Sequence, residues 1–282
     1  MTAGSVLASV RLLTPDDLPE VRALIDLDPV AHCFLASRLA QGTERWRMGG
    51  DLLGYVTDRG VESALYLGAN LVPVGTHAAS RAAFADRLRR VGRRCSSLVG
   101  LAEEVLDLWR LLEPSWGPAR EVRDCQPLLA IDRDPDIAPD PHVRVTAPAD
   151  LDTLLPACVA MFTGEVGISP TAGGMAASYR SRISEIVSQG QSFSRIQDGT
   201  VLFKAEVGAA SLRACQVQGV WVDPAHRGRG LSEAGMAAVV VQARAAIAPV
   251  VSLYVNDYNH IARRSYERVG FRPHGTFATV LF

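Results

Sequence analysis

The chain has 282 residues, 48% of them hydrophobic, with 29 basic against 30 acidic side chains. That length supplies one large core or two ordinary ones. A formal net charge of −1 excludes a general nucleic-acid binder, which carries a basic excess.

In chain order, the first half reads as strand at 64–74, helix at 80–91, a short strand near 95–99, helix at 102–112 and a last strand near 126–131. Residues 132–141, DRDPDIAPDP, hold three prolines and four aspartates. Such a stretch cannot be a central strand or continue a helix, so it reads as a surface linker. Beyond it, 201–207 and 213–222 read as paired strands across a turn near 209–211. A helix follows at 231–248, then strand 250–255, helix 260–269 and strand 277–282. The longest apolar run, 234–255, is interrupted by Gln242, Arg244 and Pro249, so it reads as a buried helix leading into a strand and not as a membrane span.

The two halves resemble each other. Val10-Arg11-Leu12-Leu13-Thr14-Pro15-Asp16-Asp17-Leu18 matches Val143-Arg144-Val145-Thr146-Ala147-Pro148-Ala149-Asp150-Leu151 at Val, Arg, Pro, Asp and Leu. Each copy is a short strand, a Pro/Asp helix start and an amphipathic helix. Strands alternating with helices predict an α/β fold with a mixed sheet, built twice. The expected division is 1–131, a linker at 132–141, and 142–282.

Five cysteines (Cys33, Cys95, Cys125, Cys158, Cys215) stand singly, with no CxxC and no histidine at ligand spacing. Free thiols in a reducing cytoplasm and no metal are expected. No basic stretch followed by an apolar one opens the chain, so no signal peptide is expected. Lys204 is the only lysine. With so many alanines beside the arginines, this reads first as the imprint of a GC-rich genome.

The most informative run is Val220-Trp221-Val222-Asp223-Pro224-Ala225-His226-Arg227-Gly228-Arg229-Gly230-Leu231-Ser232. A strand ends, proline breaks it, and a glycine-rich turn leads into a long apolar helix. The first amides of a helix lack partners and carry the positive end of its dipole, so this is an anion site. Gly228 and Gly230 permit close approach and positive φ, and Arg227 and Arg229 add guanidinium contacts to phosphate. A Walker loop is excluded for want of Gly-Lys-Ser/Thr, and a dinucleotide fingerprint for want of a third glycine after Gly230. A glycine turn capping a surface helix is the plain alternative.

Here the run resembles the acetyl-CoA motif of the GNAT superfamily, with Arg227, Gly230 and Ser232 on its defining positions and Ser232 standing where the family has Gly or Ala. Downstream, Asn259-His260-Ile261-Ala262-Arg263-Arg264-Ser265-Tyr266-Glu267-Arg268-Val269-Gly270-Phe271 resembles the other GNAT hallmark, Asn-x-x-Ala-x-x-x-Tyr-x-x-x-Gly-Phe. Taken alone, Asn259 and Gly270 read as helix caps and Tyr266 as a core tyrosine.

The resemblance implies an acetyl-CoA-dependent N-acetyltransferase acting on the amine of a small molecule or peptide by direct attack. The amides from Arg227 to Ser232 would hold the pyrophosphate, and the strand Gln216–Val222, with Val220, Trp221 and Val222, would pair with pantetheine. Tyr266 would be the general acid, Asn259 and Ala262 would meet the cofactor arm, and amides near Val222 would polarise the carbonyl. The strand face of Gln216, Gln218, Val220 and Val222 carries no carboxylate, so the base candidates are Glu206, then Glu165 in a loop at 162–167, then a water chain. A solvated fate is the commoner one for a glutamate.

The first half has Thr76-His77-Ala78-Ala79-Ser80 where the cradle would be, and Trp109 roughly where Tyr266 stands. It is expected to be a degenerate copy that does not hold CoA. It resembles the uncharacterised N-terminal domain of bacterial GNAT proteins. Two further readings stand beside the first: a tandem-GNAT biosynthetic enzyme similar to mycothiol synthase, and a non-catalytic acyl-CoA-binding regulatory protein. A cytoplasmic monomer or homodimer, without nucleic acid or membrane as partner, is expected.

Overall fold

Apolar residues come in adjacent pairs along the first strands, as in Leu52-Leu53, Ala64-Leu65 and Leu71-Val72. Successive side chains of a strand point to opposite faces, so such pairs require a sheet covered on both sides. The computed structural model, which describes residues 8–40 and 50–282, has that arrangement. Leu53, Leu65 and Leu71 pack with Phe84, Leu88, Leu108 and Trp109, whereas Leu52, Ala64 and Val72 pack with Val21, Ile25 and Leu35.

Two units result. The first takes the described residues up to Leu128 together with Tyr254–Tyr258 and His274–Phe282; the second takes Leu129–Leu253 and Asn259–Pro273. In the first, β1 (Ser9–Leu12), β2 (Gly50–Thr57), β3 (Gly60–Gly68) and β4 (Asn70–Val74) form an antiparallel meander, and β5 (Ser97–Leu101) joins β4 in parallel. Helices α1 (Leu18–Leu27) and α2 (Cys33–Ala40) follow β1. Helix α3 (Ala78–Val91) connects β4 to β5, and α4 (Ala102–Trp116) leads to β6 (Glu121–Ile131). The strand expected over 64–74 is two strands, because the chain bends at Ala69 and brings Leu71 opposite Leu67.

The second unit repeats the scheme. β7 (Arg144–Val145), β8 (Ser192–Gln197), β9 (Thr200–Ala210) and β10 (Ala214–Val222) are antiparallel neighbours, and β11 (Val250–Tyr254) joins β10 in parallel. α5 (Leu151–Val166) and α6 (Ala176–Ser188) lie between β7 and β8, α7 (Leu231–Ala246) connects β10 to β11, and α8 (His260–Val269) follows, before β12 (Arg272–Leu281). The matched nonapeptides form one device twice. Arg11 Nη1 donates to Asp17 Oδ2 at 2.8 Å while that oxygen accepts from the Thr14 amide at 2.7 Å. Arg144 Nη1 donates to Asp150 Oδ2 at 2.7 Å, and the Ala147 amide reaches the same oxygen at 2.9 Å.

Two features differ from the expected division at 132–141. β12 pairs antiparallel with β5, Phe277 facing Leu101 and Leu281 facing Ser97, so the strand that closes the second copy in sequence belongs to the first unit by its contacts. Residues 132–141 are irregular, as their prolines require, but they are bound along the second unit. The Asp136 amide donates to the Val269 carbonyl at 2.8 Å and the Asp140 amide to the Ala234 carbonyl at 2.9 Å. The buried Asp140 carboxylate accepts from Arg195 Nη1 at 2.8 Å. No helix among the described residues is long and apolar enough to cross a membrane.

Candidate active site

From the end of β10 the chain turns through eight residues, 223–230, before α7 starts at Leu231. Pro224 stops the strand, and Asp223 organises the bend, its Oδ1 accepting from the Ala225 amide at 2.8 Å. Gly228 and Gly230 both take φ of +75°, a region costly for any side chain. A Cβ at either would meet nothing within 4 Å, so backbone conformation alone demands glycine. The Gly230 carbonyl receives the first helical bond, from the Ala234 amide at 3.1 Å. The Leu231, Ser232 and Glu233 amides therefore have no helical partner and present the positive end of the dipole. Arg229 and Arg227 are exposed beside them, Arg227 donating from Nε to the Val222 carbonyl at 3.2 Å.

The strand entering this turn has one open edge. β10 pairs with β9 from Cys215 to Val222, but its parallel pairing with β11 runs only from Ala214 opposite Val250 to Gln216 opposite Ser252. Beyond Gln216 that side of β10 offers unladdered backbone groups, which an extended chain can pair with as a strand would. On the β9 side the register slips between Gln218 and Trp221, so that Gly219 and Val220 face Ala205 alone, with Gly219 at φ +61°. This is a β-bulge, whose extra residue leaves the ladder.

Beneath the bulge lies a polar cluster whose charged pair is buried. Lys204 Nζ donates to Glu206 Oε2 at 3.1 Å and to Cys158 Sγ at 3.4 Å, and Gln218 Nε2 donates to Glu206 Oε1 at 3.0 Å. Lys204 and Glu206 are both buried. Burial alone would lower the Lys204 ammonium, but the charges and hydrogen bonds of Glu206 and Cys158 outweigh it and the pKa is raised. Burial pushes the Cys158 thiol up in spite of Lys204. Glu206, the first base candidate, thus has each carboxylate oxygen engaged, one by a cation and one by an amide.

Tyr266 lies on α8, buried, with its ring edge-on to Phe271 at 6.0 Å. Burial, and then the Glu165 charge, push its phenol above the ordinary tyrosine value. Glu165 does not sit in a loop. Phe162–Val166 is the last turn of α5, ended by Gly167 at φ +78°, and Gly164 is tolerated inside the helix. The Glu165 charge is thus felt at Tyr266, a residue far from it in sequence. Asn259 caps α8, its Oδ1 accepting from the Ala262 amide at 3.2 Å, and Gly270 closes the helix in the left-handed region. Lys204 and Cys158 are not among the expected site residues, and Gln218 and Gly219 are expected only as part of the strand that pairs with pantetheine. Their signal was the charged pair Lys204 and Glu206 inside the apolar run 201–207, at the i, i+2 spacing that shares one strand face. No group of three or more His, Cys, Asp or Glu able to hold a metal occurs among the described residues.

Residues 193–271 match the model of the acetyltransferase (GNAT) family, and residues 50–154 match a domain of unknown function, DUF4081. The GNAT match thus lies within the C-terminal half of the chain. No curated protein matches the sequence. Among solved structures, a tandem GNAT protein from the clavulanic acid biosynthesis pathway is 14% identical over 98% of each chain, with a TM-score of 0.56. A GCN5-related N-acetyltransferase from Sphaerobacter thermophilus is 16% identical over 97% of this chain and 95% of its own, at 0.57. A Drosophila protein is 11% identical over 99% of each chain, at 0.68. Identities this low establish a shared fold, and that fold is the tandem α/β arrangement described above.

Proposed function

We propose that the second unit transfers an acetyl group from acetyl-CoA to an amine of a small molecule or peptide. One conjunction carries this reading: the open edge of β10 beyond Gln216 runs directly into a turn whose helix amides are unclaimed. An extended pantetheine arm suits the edge, and a pyrophosphate suits the amides from Arg227 to Ser232. The residues present therefore fit acetyl-CoA, with Asn259 and Ala262 bordering the arm from α8.

Transfer then needs a polarised carbonyl and two proton movements. The amine nitrogen forms a bond to the thioester carbon while the unladdered amide of the Gly219-Val220 bulge receives the oxygen's developing charge. As the C–S bond breaks, sulfur takes the proton of Tyr266 Oη. The proton shed by the amine passes to Glu165, which returns it to the phenolate. A phenol raised by burial stays protonated throughout the range in which amines become neutral, so the donor is loaded at any working pH.

Acetyl-CoA turnover across a panel of amines, followed as free thiol, tests the reading, and the tandem neighbour's biosynthetic pathway makes small-molecule amines the first to try. Tyr266→Phe is expected to lower kcat about 10²- to 10⁴-fold; full turnover in that variant at every pH removes the acid role. An unaltered pH–rate profile in Glu165→Gln sends the base elsewhere. The capture of Glu206 by Lys204 and Gln218 favours a second reading, an acyl-CoA-binding protein without turnover. CoA binding with no amine-dependent thiol release would select it.

A further inference from the structure

Lys204 is the chain's only lysine, it is completely buried, and no step above uses it. A buried ion pair gains little over a neutral pair of the same shape, so its presence under the bulge asks for a role other than stability. Three contacts converge there. A Cβ on Gly219 would lie 3.2 Å from both Lys204 Nζ and the Glu206 carboxyl carbon, and 3.0 Å from Met161 Cε, so the bulge backbone rests directly on the pair. Gln218, the preceding residue, is tied to Glu206. Gly208 makes that tie possible: a Cβ there would overlap the Gln218 amide, at 2.2 Å from its carbon.

We infer that Lys204 and Glu206 are positioning residues that, through Gln218, hold the Gly219 bulge in the geometry that receives the thioester oxygen. Lys204 holds the Glu206 carboxylate in place through its ion pair, Glu206 holds the Gln218 side chain, and Gln218 fixes the residue at which the register slips. The role rests on the acetyl-transfer reading of this unit. A donor aligned on the developing oxyanion acts on the transition state and not on ground-state binding, so its misplacement lowers kcat and spares KM for acetyl-CoA.

Two kinds of variant test it. Gly208→Ala displaces the Gln218 amide while leaving both charges, and Gln218→Leu removes the donor. Each is expected to lower kcat about 10- to 100-fold with KM for acetyl-CoA unchanged. A second comparison removes both charges together, so that neither member is left buried alone. Lys204→Met/Glu206→Leu, which denies Gln218 its acceptor, is expected to turn over at least about tenfold more slowly than Lys204→Met/Glu206→Gln, which keeps one. Wild-type kcat in Gly208→Ala and Gln218→Leu, or equal rates in the two double variants, overturns the positioning role. A wild-type protein that releases no thiol defeats the acetyl-transfer reading instead. The bulge is then read by the Gly219 amide resonance in ¹⁵N-glycine-labelled protein, assigned by its loss in Gly219→Ser. A shift of that resonance in Gly208→Ala, which leaves the residues beside Gly219 unchanged while displacing the Gln218 amide, supports the hold on the bulge, and an unmoved one refutes it.

Discussion

Two turns occupy the same place in the same topology, between an antiparallel strand and the helix that crosses to a parallel neighbour: 75–77 after β4 and 223–230 after β10. The shorter one is filled from within. The Thr76 amide donates to Glu104 Oε1 at 2.8 Å, the Thr76 carbonyl accepts from Arg81 Nη1 at 2.8 Å, and Arg81 Nε holds Asp107 at 2.7 Å. The Ser80 hydroxyl takes the His77 amide at 2.9 Å, and the Ser80 amide turns back to His77 Nδ1. A carboxylate of the protein thus stands where a ligand's phosphate would, with a buried arginine beside it. In 223–230 the bend is managed by Asp223 and two glycines, and the amides that open α7 are left unclaimed. An anion site is in this sense a set of donors that no side chain has taken. Duplication supplies the turn twice, and the local side chains decide which copy stays open.

The hardest way to break this comparison is a CoA titration. One site per chain is expected, and Gly230→Val should weaken it about 100-fold, since a β-branched residue at φ +75° costs about 1–3 kcal/mol and its side chain crowds the phosphate. Calorimetry showing two sites, or one that survives Gly230→Val at full affinity, would place CoA elsewhere.

The closed turn is tested through Glu104. Burial raises its carboxyl from 4.5 to about 7, in spite of the Thr76 amide, which favours the ionised form. Between those values the folded protein holds a proton that the unfolded chain has lost, so stability falls as pH rises through that window and stays low above it. The total is at most about 3 kcal/mol. In Glu104→Gln the fall in urea midpoint between pH 5 and pH 8 should largely disappear, with CoA affinity unchanged. An identical fall in both proteins would contradict the assignment of that carboxyl.

The asymmetry between the turns was only half legible in the sequence. Glycines at 228 and 230 before an apolar helix announce unclaimed amides because both the conformation and the helix start are local. Residues 260–269 were legible for the same reason, with Ala262, Tyr266 and Val269 falling on one helical face. The closure of 75–77 was not, because Glu104 reaches Thr76 from another helix, 28 residues along the chain. Nor was the fate of Glu206. Its spacing from Lys204 places both on one face of β9, but Gln218 reaches it only in a register interrupted by a bulge. The pairing of β12 with β5 lay equally out of reach, since the apolar residues 277–281 suit any sheet edge and only the assembled fold selects one.

The smallest expected effect comes from what the two units share. Asp17 and Asp150 each anchor a helix start by taking a backbone amide and an arginine six residues upstream. The hydrogen bond from Arg11 holds the Asp17 carboxyl well below the usual carboxylate range, and Arg144 lowers Asp150. A depressed carboxyl stabilises the fold above its ordinary pKa and loses that contribution as the pH falls toward the folded value. Asp17→Ala and Asp150→Ala should therefore each cost about 1 kcal/mol near neutrality, mostly from the lost amide partner, and less as the pH drops below about 4. The arginines are half in solvent, so the ion pairs themselves add only about 0.5 kcal/mol and fade with salt. Asp17 should be the larger of the two, because Arg11 grips both its oxygens and the Thr14 hydroxyl donates to it at 3.0 Å, whereas Arg144 reaches one oxygen of Asp150. If Asp150→Ala instead proves the costlier change in a urea titration, the anchor has a duty in the second unit that its copy lacks, and the likeness of the two units ends one element earlier than the turns.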